Sequence, residues 1–465
     1  MDKKIVINIK GKRRNKMKNK QFWADWLFLI ISLVTFASLL GTMLMTMDSI
    51  RVGSLLSYSA GLLAYTSMLT VTFIGSRPRF IEKHFGMPHM FEVHGVMSVM
   101  LTILVLIHVI IQWNGIQWVT DMSIVSQTGW VAVIALLVVM FTGIFSLSGM
   151  YVNTNPALRK FKEKQPRELN LWLHRLAIVS DIFVFFHLFN LPFLRDNMFF
   201  MVLLSVYTIY VLGYYAVWKI KVEMLPKYKL GKIYKGTPSL YVLEFEPTEG
   251  RKIPQYNPGE YYWIHFKDAD GITKEGHPFS TSSSITDRFD NSIEFMIKEA
   301  GDWTKALANV KEGDTATLEG PYGDMFPPHI QELEESVPFT LLAGGIGLTP
   351  MLSIARHEHQ IGSQREIHLV WGLSFEEDMF MLEELEEMKK ENPNFHVHII
   401  FSNEEVAGYD FGFITNDYLE QKGAGDYAEG HFFVCGPEPM INASKRILDN
   451  GNVAYDQRHI DDFGF

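Results

Sequence analysis

The chain has 465 residues, 48% of them hydrophobic, and a formal net charge of −10. Its length allows two or three domains. Residues 1–226 contain 22 Lys and Arg against 11 Asp and Glu, whereas residues 227–465 contain 20 against 41. The negative total and the lack of a basic, aromatic-rich stripe argue against a nucleic-acid partner. The single cysteine, Cys435, excludes an intramolecular disulfide, a cysteine-ligated cluster and a cysteine-based structural zinc site.

The first half of the chain contains six apolar stretches of about the 20 residues that a bilayer crossing requires. They lie roughly at 22–45, 54–75, 89–112, 129–151, 170–192 and 197–218. Lys and Arg are concentrated before the first stretch, after the second, after the fourth and after the sixth. The positive-inside rule therefore predicts a multi-pass protein of the plasma (cytoplasmic) membrane with both termini in the cytoplasm. We expect a basic segment over residues 1–21 and a six-span membrane domain over residues 22–226.

Two pairs of histidines lie in these apolar stretches. His94 and His108 are 14 residues apart in the third stretch, and His174 and His187 are 13 apart in the fifth. Each pair therefore spans roughly 20 Å of helix. A lone histidine in an apolar helix is usually a core residue or a polar contact between helices. Two matched pairs on parallel spans instead predict two b-type haems, because neutral imidazole is a common axial ligand. The topology pairs His94 with His174 for an inner haem and His108 with His187 for an outer one.

Three details of the fifth stretch bear on this interpretation. Thirteen residues advance about 1300°, which leaves His187 off the helix face of His174, so either the fifth helix is locally irregular or the side chains reach around it. Arg175 is a candidate partner for a haem propionate, or else an arginine that extends to the lipid headgroups. Asp181 is an ionisable residue near mid-membrane. It either hydrogen-bonds a Ser or Thr of a neighbouring helix or tunes the field between the haems.

The pattern changes near residue 228. Apolar runs at 240–245 and 261–266, separated by Gly/Pro turns, predict an antiparallel β-barrel domain over residues 227–332. The pattern then becomes strand–loop–helix and predicts a doubly wound, Rossmann-like α/β domain over residues 333–465. Its expected parallel strands lie at 339–344, 366–372, 395–401 and 431–436, with a helix over 375–390.

The segment HPFS at 277–280 predicts a flavin site. Such a site needs a planar group against the ring, a hydroxyl near N5 and donors for the pyrophosphate. The segment IKEAGDWT at 297–304 adds a strand end, a glycine turn and a helix start whose N–H groups would face phosphate, and GPYG at 320–323 closes the barrel. The predicted FAD-binding residues are His277, Pro278, Phe279, Ser280, Lys298, Gly301, Trp303 and Thr304.

Two later segments predict a nicotinamide site. The glycines of AGGIGLTP at 343–350 follow an apolar strand and allow a pyrophosphate to approach the backbone at a helix start. VCGPEPM at 434–440 ends another parallel strand, at the edge where open sheets bind ligands. Cys435 would lie beside the nicotinamide, or else be a small buried hydrophobe. The predicted NAD(P)H-binding residues are Gly344, Gly345, Gly347, Thr349, Pro350, Cys435, Gly436, Pro437 and Met440.

The segments HPFS, GDWT, GPYG, AGGIGLTP and CGP, in this order, resemble the ferredoxin-NADP-reductase type of flavoprotein module. The apolar half of the chain precedes these segments and carries the two histidine pairs, spaced by 14 and 13 residues. With both features together, the chain is similar to the NADPH-oxidase/ferric-reductase family over about residues 54–465. The resemblance implies a six-helix transmembrane di-haem bundle fused to a cytosolic FAD-binding β-barrel and an NAD(P)H-binding domain. It also implies that electrons pass from nicotinamide to FAD, then to the inner and outer haems.

The resemblance further implies catalytic roles for Phe279, Ser280 and Cys435, and for a terminal aromatic residue over the flavin, Phe465. The loops at 372–378 and 401–405 lack the basic residues that NADPH-preferring members often carry there. Since acidic groups repel a 2′-phosphate and accept from a ribose hydroxyl, we expect NADH or dual use.

The expected acceptor is oxygen, reduced to superoxide, with ferric iron as the alternative and no obligatory protein partner. A membrane redox sensor without turnover is an alternative from a different class, but it would not need two haem levels.

Overall fold

The computed structural model describes residues 26–45, 52–112, 123–144, 167–248, 250–284 and 291–461. It divides into two compact units, one within residues 18–223 and the other from Met224 onward. The predicted basic segment at residues 1–21 and the predicted flavin-covering residue Phe465 lie outside the described residues.

The first unit is helical throughout the residues that the structure describes. Its helices are α1 Trp26–Leu44, α2 Val52–Gly75, α3 Arg79–Phe85, α4 Met87–Gln112, α5 Ile124–Thr142, α6 Arg167–His174, α7 Leu176–Phe189, α8 Pro192–Arg195 and α9 Met198–Glu223. Within the described part of the chain, five helical segments are long and apolar enough to cross a membrane: α1, α4, α5, the run Glu168–Phe189 and α9. Five of the six predicted spans therefore have this property.

The remaining predicted span forms α2, which has 24 residues but is not among those five. Its serines, threonines and tyrosines lower its apolar content, and they bond to other helices. The Tyr65 and Thr208 hydroxyls are 2.8 Å apart, and the Ser67 hydroxyl is 3.0 Å from that of Ser32. All four side chains are buried, so α2 is a polar-faced helix that packs inside the helical unit.

The fifth predicted span is interrupted at Arg175. Helix α6 ends at His174 and α7 begins at Leu176. At the junction, the Ile178 N–H donates to the Arg175 carbonyl at 3.1 Å, which is a tighter i to i+3 turn. Of the two arrangements that the 13-residue spacing allowed, the structure has the local irregularity, and it lies next to the first histidine of the pair.

The second unit begins with a six-stranded antiparallel sheet in the order β4-β3-β6-β1-β2-β5. The strands are β1 Lys227–Thr237, β2 Leu240–Pro247, β3 Tyr261–Phe266, β4 His277–Ser280, β5 Ile293–Lys298 and β6 Thr315–Tyr322. A bridge between Thr281 and Phe295 joins the two edges, which closes the predicted barrel. The HPFS segment is itself β4, hydrogen-bonded to β3. Two short helices follow β5 and β6, α10 Asp302–Lys305 and α11 Pro328–Gln331.

The rest of the second unit is a parallel sheet in the order β10-β9-β8-β7-β11-β12. The strands are β7 Phe339–Gly344, β8 Ile367–Leu373, β9 Phe395–Phe401, β10 Asp410–Phe411, β11 His431–Cys435 and β12 Arg458–Asp461. The helices are α12 Leu348–Gln360, α13 Leu382–Glu391, α14 Asn416–Gln421 and α15 Glu438–Asn450. The four predicted strands are confirmed.

The helix predicted over 375–390 is wrong in its first turns. Residues Glu376–Asp378 form a short 3-10 turn, and α13 begins only at Leu382. Met381 has φ +55°, a left-handed conformation that cannot continue a right-handed helix. The acidic loop before α13 is therefore free to contact other parts of the unit.

A buried arginine joins the barrel to the parallel-sheet domain. Arg356 of α12 is 3% exposed, and its guanidinium lies 2.7 Å from the Glu294 carboxylate of β5. The same guanidinium donates to both Glu384 oxygens, at 2.7 and 2.8 Å. Nearby, the Ser353 hydroxyl donates to the Ser283 carbonyl at 2.6 Å. Bidentate, charge-assisted bonds of this kind are among the strongest that proteins form.

Candidate functional site

The four histidines of the helical unit form the two predicted pairs. The ring centroids of His94 and His174 are 6.1 Å apart, and those of His108 and His187 are 6.3 Å apart. Two imidazoles on opposite sides of one metal ion, with metal–nitrogen bonds of about 2.0 Å, have centroids roughly 6.3 Å apart. The spacing of both pairs therefore fits bis-histidine axial ligation.

Each of these histidines bonds to a backbone carbonyl of the neighbouring helix through its Nδ1. His94 lies 3.2 Å from the Val71 carbonyl, and His108 lies 2.8 Å from the Ser57 carbonyl, both on α2. The corresponding acceptors on α5 are Val139 for His174, at 3.2 Å, and Val125 for His187, at 2.8 Å. A carbonyl can only accept, so Nδ1 carries the proton and Nε2 keeps its lone pair. This is the protonation state that a metal-ligating histidine needs.

A glycine lies against each of the four rings. A Cβ built on Gly61 would lie 2.8 Å from Nδ1 of His108, and one on Gly129 would lie 3.1 Å from Nδ1 of His187. A Cβ on Gly143 would lie 3.3 Å from Cε1 of His174, and one on Gly75 would lie 3.7 Å from Cε1 of His94. Each glycine comes four residues after the carbonyl that accepts from its histidine, so the missing side chain lets the ring reach that carbonyl.

Sequence reasoning missed these glycines, although a signal was present. Gly61 and Gly75 are 14 residues apart, as are Gly129 and Gly143, and His94 and His108 have the same separation. The helical unit thus contains two similar helix pairs, α2 with α4 and α5 with α6–α7, each with two glycine–histidine contacts.

The other two residues singled out in the fifth span have identified contacts. The Thr72 hydroxyl of α2 donates to Asp181 at 2.7 Å, which confirms the expected hydrogen bond to a neighbouring helix. The second Asp181 oxygen, Oδ1, is buried and has no hydrogen-bond partner among the residues that the structure describes. The Arg175 guanidinium lies over the Trp172 ring, 4.9 Å from its centroid.

The predicted flavin residues come together at one end of the barrel. The Trp303 ring lies 4.5 Å from that of His277 and stacks on Phe279 at 5.4 Å between centroids. Ser280 is buried at the end of β4, after Pro278 in the same strand. Gly301 precedes α10, and the Thr304 hydroxyl accepts from its N–H at 2.9 Å. The aromatic and hydroxyl groups that a flavin ring needs are therefore adjacent.

Lys298, at the end of β5, is predicted to bind FAD, and in the structure it contacts the acidic loop after β8. Its ammonium group pairs with Asp378 in the acidic loop after β8. Together they line a crevice between the barrel and the glycine-rich turn, whose walls are Thr237, Ser239, Leu240, Lys298, Gly345, Ile346, Asp378 and Phe380.

The predicted nicotinamide residues also converge. Strands β7 and β11 are neighbours, with Ala343 opposite Cys435. A Cβ on Gly347 would lie 2.2 Å from the Cys435 carbonyl oxygen, and one on Gly344 would lie 2.4 Å from the Met440 sulfur. Only glycine permits these approaches, which bring the two segments into direct contact at the carboxyl edge of the sheet.

The rest of the predicted nicotinamide set surrounds that contact. A Cβ on Gly344 would also lie 2.7 Å from Cδ of Pro437, and one on Gly436 would lie 3.0 Å from Cα of Gly344. The Gly345 carbonyl accepts from the Trp371 indole at 2.9 Å, and the Thr349 hydroxyl donates to the Ile346 carbonyl at the same distance. Pro350 is buried in the first turn of α12, and Cys435 is buried at the end of β11.

Comparison with known proteins bears on this second unit. Residues 241–326 match a family model described as a FAD-binding domain, and residues 341–446 match an oxidoreductase NAD-binding domain. Over these residues the chain therefore carries a FAD-binding domain followed by an oxidoreductase NAD-binding domain. This module confirms the flavin and nicotinamide assignments at the level of domains.

Relatives of the reductase module include the reductase component of propane 2-monooxygenase from Mycolicibacterium goodii, 28% identical over 238 residues, which are 49% of this chain and 64% of that protein. A component of the Na(+)-translocating NADH-quinone reductase from Actinobacillus succinogenes is 30% identical over 173 residues, 35% of this chain and 40% of that protein. The chain thus spans less than two thirds of these relatives. The cytochrome b5 reductase domain of Ulva prolifera nitrate reductase matches in structure with a TM-score of 0.45 and 20% identity, over 52% of this chain and 98% of that one.

Proposed function

We propose that this protein transfers electrons across a membrane, from cytosolic NAD(P)H through FAD and two b-type haems to an acceptor on the other side. The observation that carries the proposal is the arrangement of the four histidines. Two ring pairs have the spacing of axial ligands. The Nδ1 atom of each ring lies within hydrogen-bond distance of a backbone carbonyl, which leaves Nε2 available to a metal ion. A polar contact between helices would need only one such ring, and it would not need the Nδ1 bond repeated four times.

The helical unit supplies what two haems require of a protein. His94 and His174 would hold the inner haem, and His108 and His187 the outer one. Their bonds to helix carbonyls fix the ring orientation and raise ligand basicity. When bound, the haems supply one-electron redox chemistry, while the protein sets their position and surroundings.

The reductase module supplies the entry point for electrons. Gly344 and Gly347 let the glycine-rich turn meet the segment that follows β11, while a Cβ on Gly345 would meet nothing within 4 Å, which leaves room for a pyrophosphate to approach the backbone there. Gly345 and Lys298 line the same crevice. FAD held at this site would supply the redox chemistry that links a two-electron hydride donor to one-electron carriers. No protein nucleophile is required for this reaction.

A reduced-minus-oxidised absorption spectrum of the purified protein tests the proposal. We expect about two b-type haems per chain. His108→Ala or His187→Ala should remove the outer haem and stop transmembrane transfer, while reduction of the flavin by NAD(P)H continues. His89→Ala, in the same helix as His108, is the matched control and should retain both haems. A colourless protein, or equal loss of both haems in the His108 variant, would contradict the proposed pairing.

We propose oxygen as the acceptor, with superoxide as the product, and ferric iron as the alternative. Two assays on the same preparation distinguish them. Superoxide dismutase should suppress cytochrome c reduction if oxygen is the acceptor, whereas a ferrous chelator should develop colour if iron is. Both signals absent with NAD(P)H and FAD present would exclude both acceptors.

We further propose NADH or dual nucleotide use. The acidic loops after β8 and β9 lie side by side, since the Glu376 N–H donates to the Glu404 carboxylate. Two carboxylates at this position disfavour a 2′-phosphate and can accept from a ribose hydroxyl.

A further inference from the structure

One face of the parallel sheet carries four metal-ligating side chains on two neighbouring strands. Glu366 and His368 are two residues apart at the start of β8, and His396 and His398 are two apart on β9. Alternate residues of a strand point to the same face. The strands are parallel with His368 opposite His396, so all four side chains share one face.

Three of these side chains converge on one point. The Glu366 carboxylate lies 3.1 Å from Nε2 of His368 and 4.0 Å from Nε2 of His396. One ligand atom of each residue lies within 4.8 Å of the others. Ligands of a tetrahedral zinc ion, with bonds of about 2.0–2.1 Å, are roughly 3.3 Å apart. Small side-chain rotations are enough to reach that spacing.

The fourth side chain orients one of the three. Nε2 of His398 lies 3.2 Å from Nδ1 of His368, and the two rings stack with an interplanar angle of 10°. His368 is nearly buried, while Glu366 and His396 have side chains 57% and 39% exposed. A cation thus has an open approach to a site with one rigidly held ligand.

We propose that Glu366, His368 and His396 form a binding site for a divalent transition-metal cation of the zinc type, with His398 as the residue that positions His368. Two imidazoles and one carboxylate favour zinc and its neighbours over magnesium or calcium, which prefer oxygen ligands. Such a cation would link β8 to β9.

The site is separate from the nucleotide-binding region of the same sheet. Glu366 immediately precedes β8 and His396 is the second residue of β9, so the cluster lies at the amino ends of these strands. The glycine-rich turn follows the carboxyl end of β7, so it lies at the opposite ends of the strands. Bound zinc would therefore stabilise the sheet without taking part in hydride transfer.

Equilibrium dialysis of the full-length protein against Zn²⁺, with zinc measured by mass spectrometry, tests the proposal. We expect about one Zn²⁺ per chain. His396→Gln and Glu366→Gln change partly exposed side chains, and each should weaken binding at least about tenfold. His398→Phe keeps the stacked ring but removes the acceptor, and should weaken binding by about tenfold or more.

His359→Gln is the matched control. His359 lies 3.2 Å from Glu391 in another exposed histidine–glutamate pair of the same domain, so its loss should leave zinc binding unchanged. X-ray absorption at the zinc edge should show nitrogen and oxygen ligands near 2.0–2.1 Å and no sulfur. Absence of stoichiometric binding, or binding that persists in the Glu366→Gln/His396→Gln double variant, would overturn the proposal.

Discussion

Replacement of Gly61 by alanine tests the glycine–histidine contacts. The added Cβ would lie 2.8 Å from Nδ1 of His108, whereas ordinary contact begins at 3.4 Å. The ring must therefore retreat by about 0.6 Å (3.4 minus 2.8), and its 2.8 Å bond to the Ser57 carbonyl would lengthen to about 3.4 Å, beyond useful hydrogen-bond range. Loss of one such bond costs about 0.5–1.5 kcal/mol, equivalent to roughly 2- to 13-fold weaker retention of the outer haem.

Gly75→Ala provides the control for this variant, because its Cβ would lie 3.7 Å from His94, an ordinary contact. Pyridine-haemochrome quantification during haem competition with apomyoglobin measures retention, and redox titration separates the two haems. We expect Gly61→Ala to release the outer haem faster and to change its midpoint potential, while Gly75→Ala behaves like the parent. Identical retention and potentials in the two variants would refute the idea that the glycines position the histidines.

Three further predictions concern charged groups. Arg356→Ala should lower the free energy of unfolding of the reductase module by about 3–5 kcal/mol, because it leaves buried carboxylates unpaired. Lys389→Ala, which removes one partner of an exposed pair, should lower it by less than about 1 kcal/mol. Similar losses in chemical unfolding of the two variants would be inconsistent with a buried ion-pair network. Glu376→Arg should raise the ratio of kcat/KM for NADPH to kcat/KM for NADH by about tenfold or more. A parent protein that already prefers NADPH strongly would contradict the role given to Glu376 and Glu404. Asp181→Asn should leave both haem midpoint potentials unchanged, because a carboxyl group buried in a bilayer is most stable when neutral, and a shift of both potentials would indicate a charged Asp181.

The histidine pairing could be predicted because it follows from periodic features. Helix rise, span direction and two similar spacings were sufficient to pair His94 with His174 and His108 with His187. The 13-residue spacing also indicated either the irregularity now seen at Arg175 or side chains that reach around the helix. The proximity of the glycine-rich turn to the CGP segment could also be predicted from the sequence, because both follow parallel strands of one sheet, whose carboxyl ends lie on the same side.

Other features depend on contacts that no local pattern reveals. Arg356 bonds to residues 28 and 62 positions away, in a different helix and in a different domain. The late start of α13 depends on the left-handed backbone at Met381, a residue type that rarely adopts it. The serines, threonines and tyrosines of α2 are visible in the sequence. That they pack against other helices inside the helical unit can be seen only in the tertiary structure.

The buried Arg356 contacts have a practical consequence for protein dissection. A chain cut between residues 332 and 333 would leave Glu294 on one fragment and Arg356, together with Glu384, on the other, so the ion pair between Glu294 and Arg356 would be lost. The Ser353 hydroxyl would also lose the Ser283 carbonyl across the same cut. The barrel and the nicotinamide domain are therefore best expressed as a single piece, because each contributes part of the other's interior.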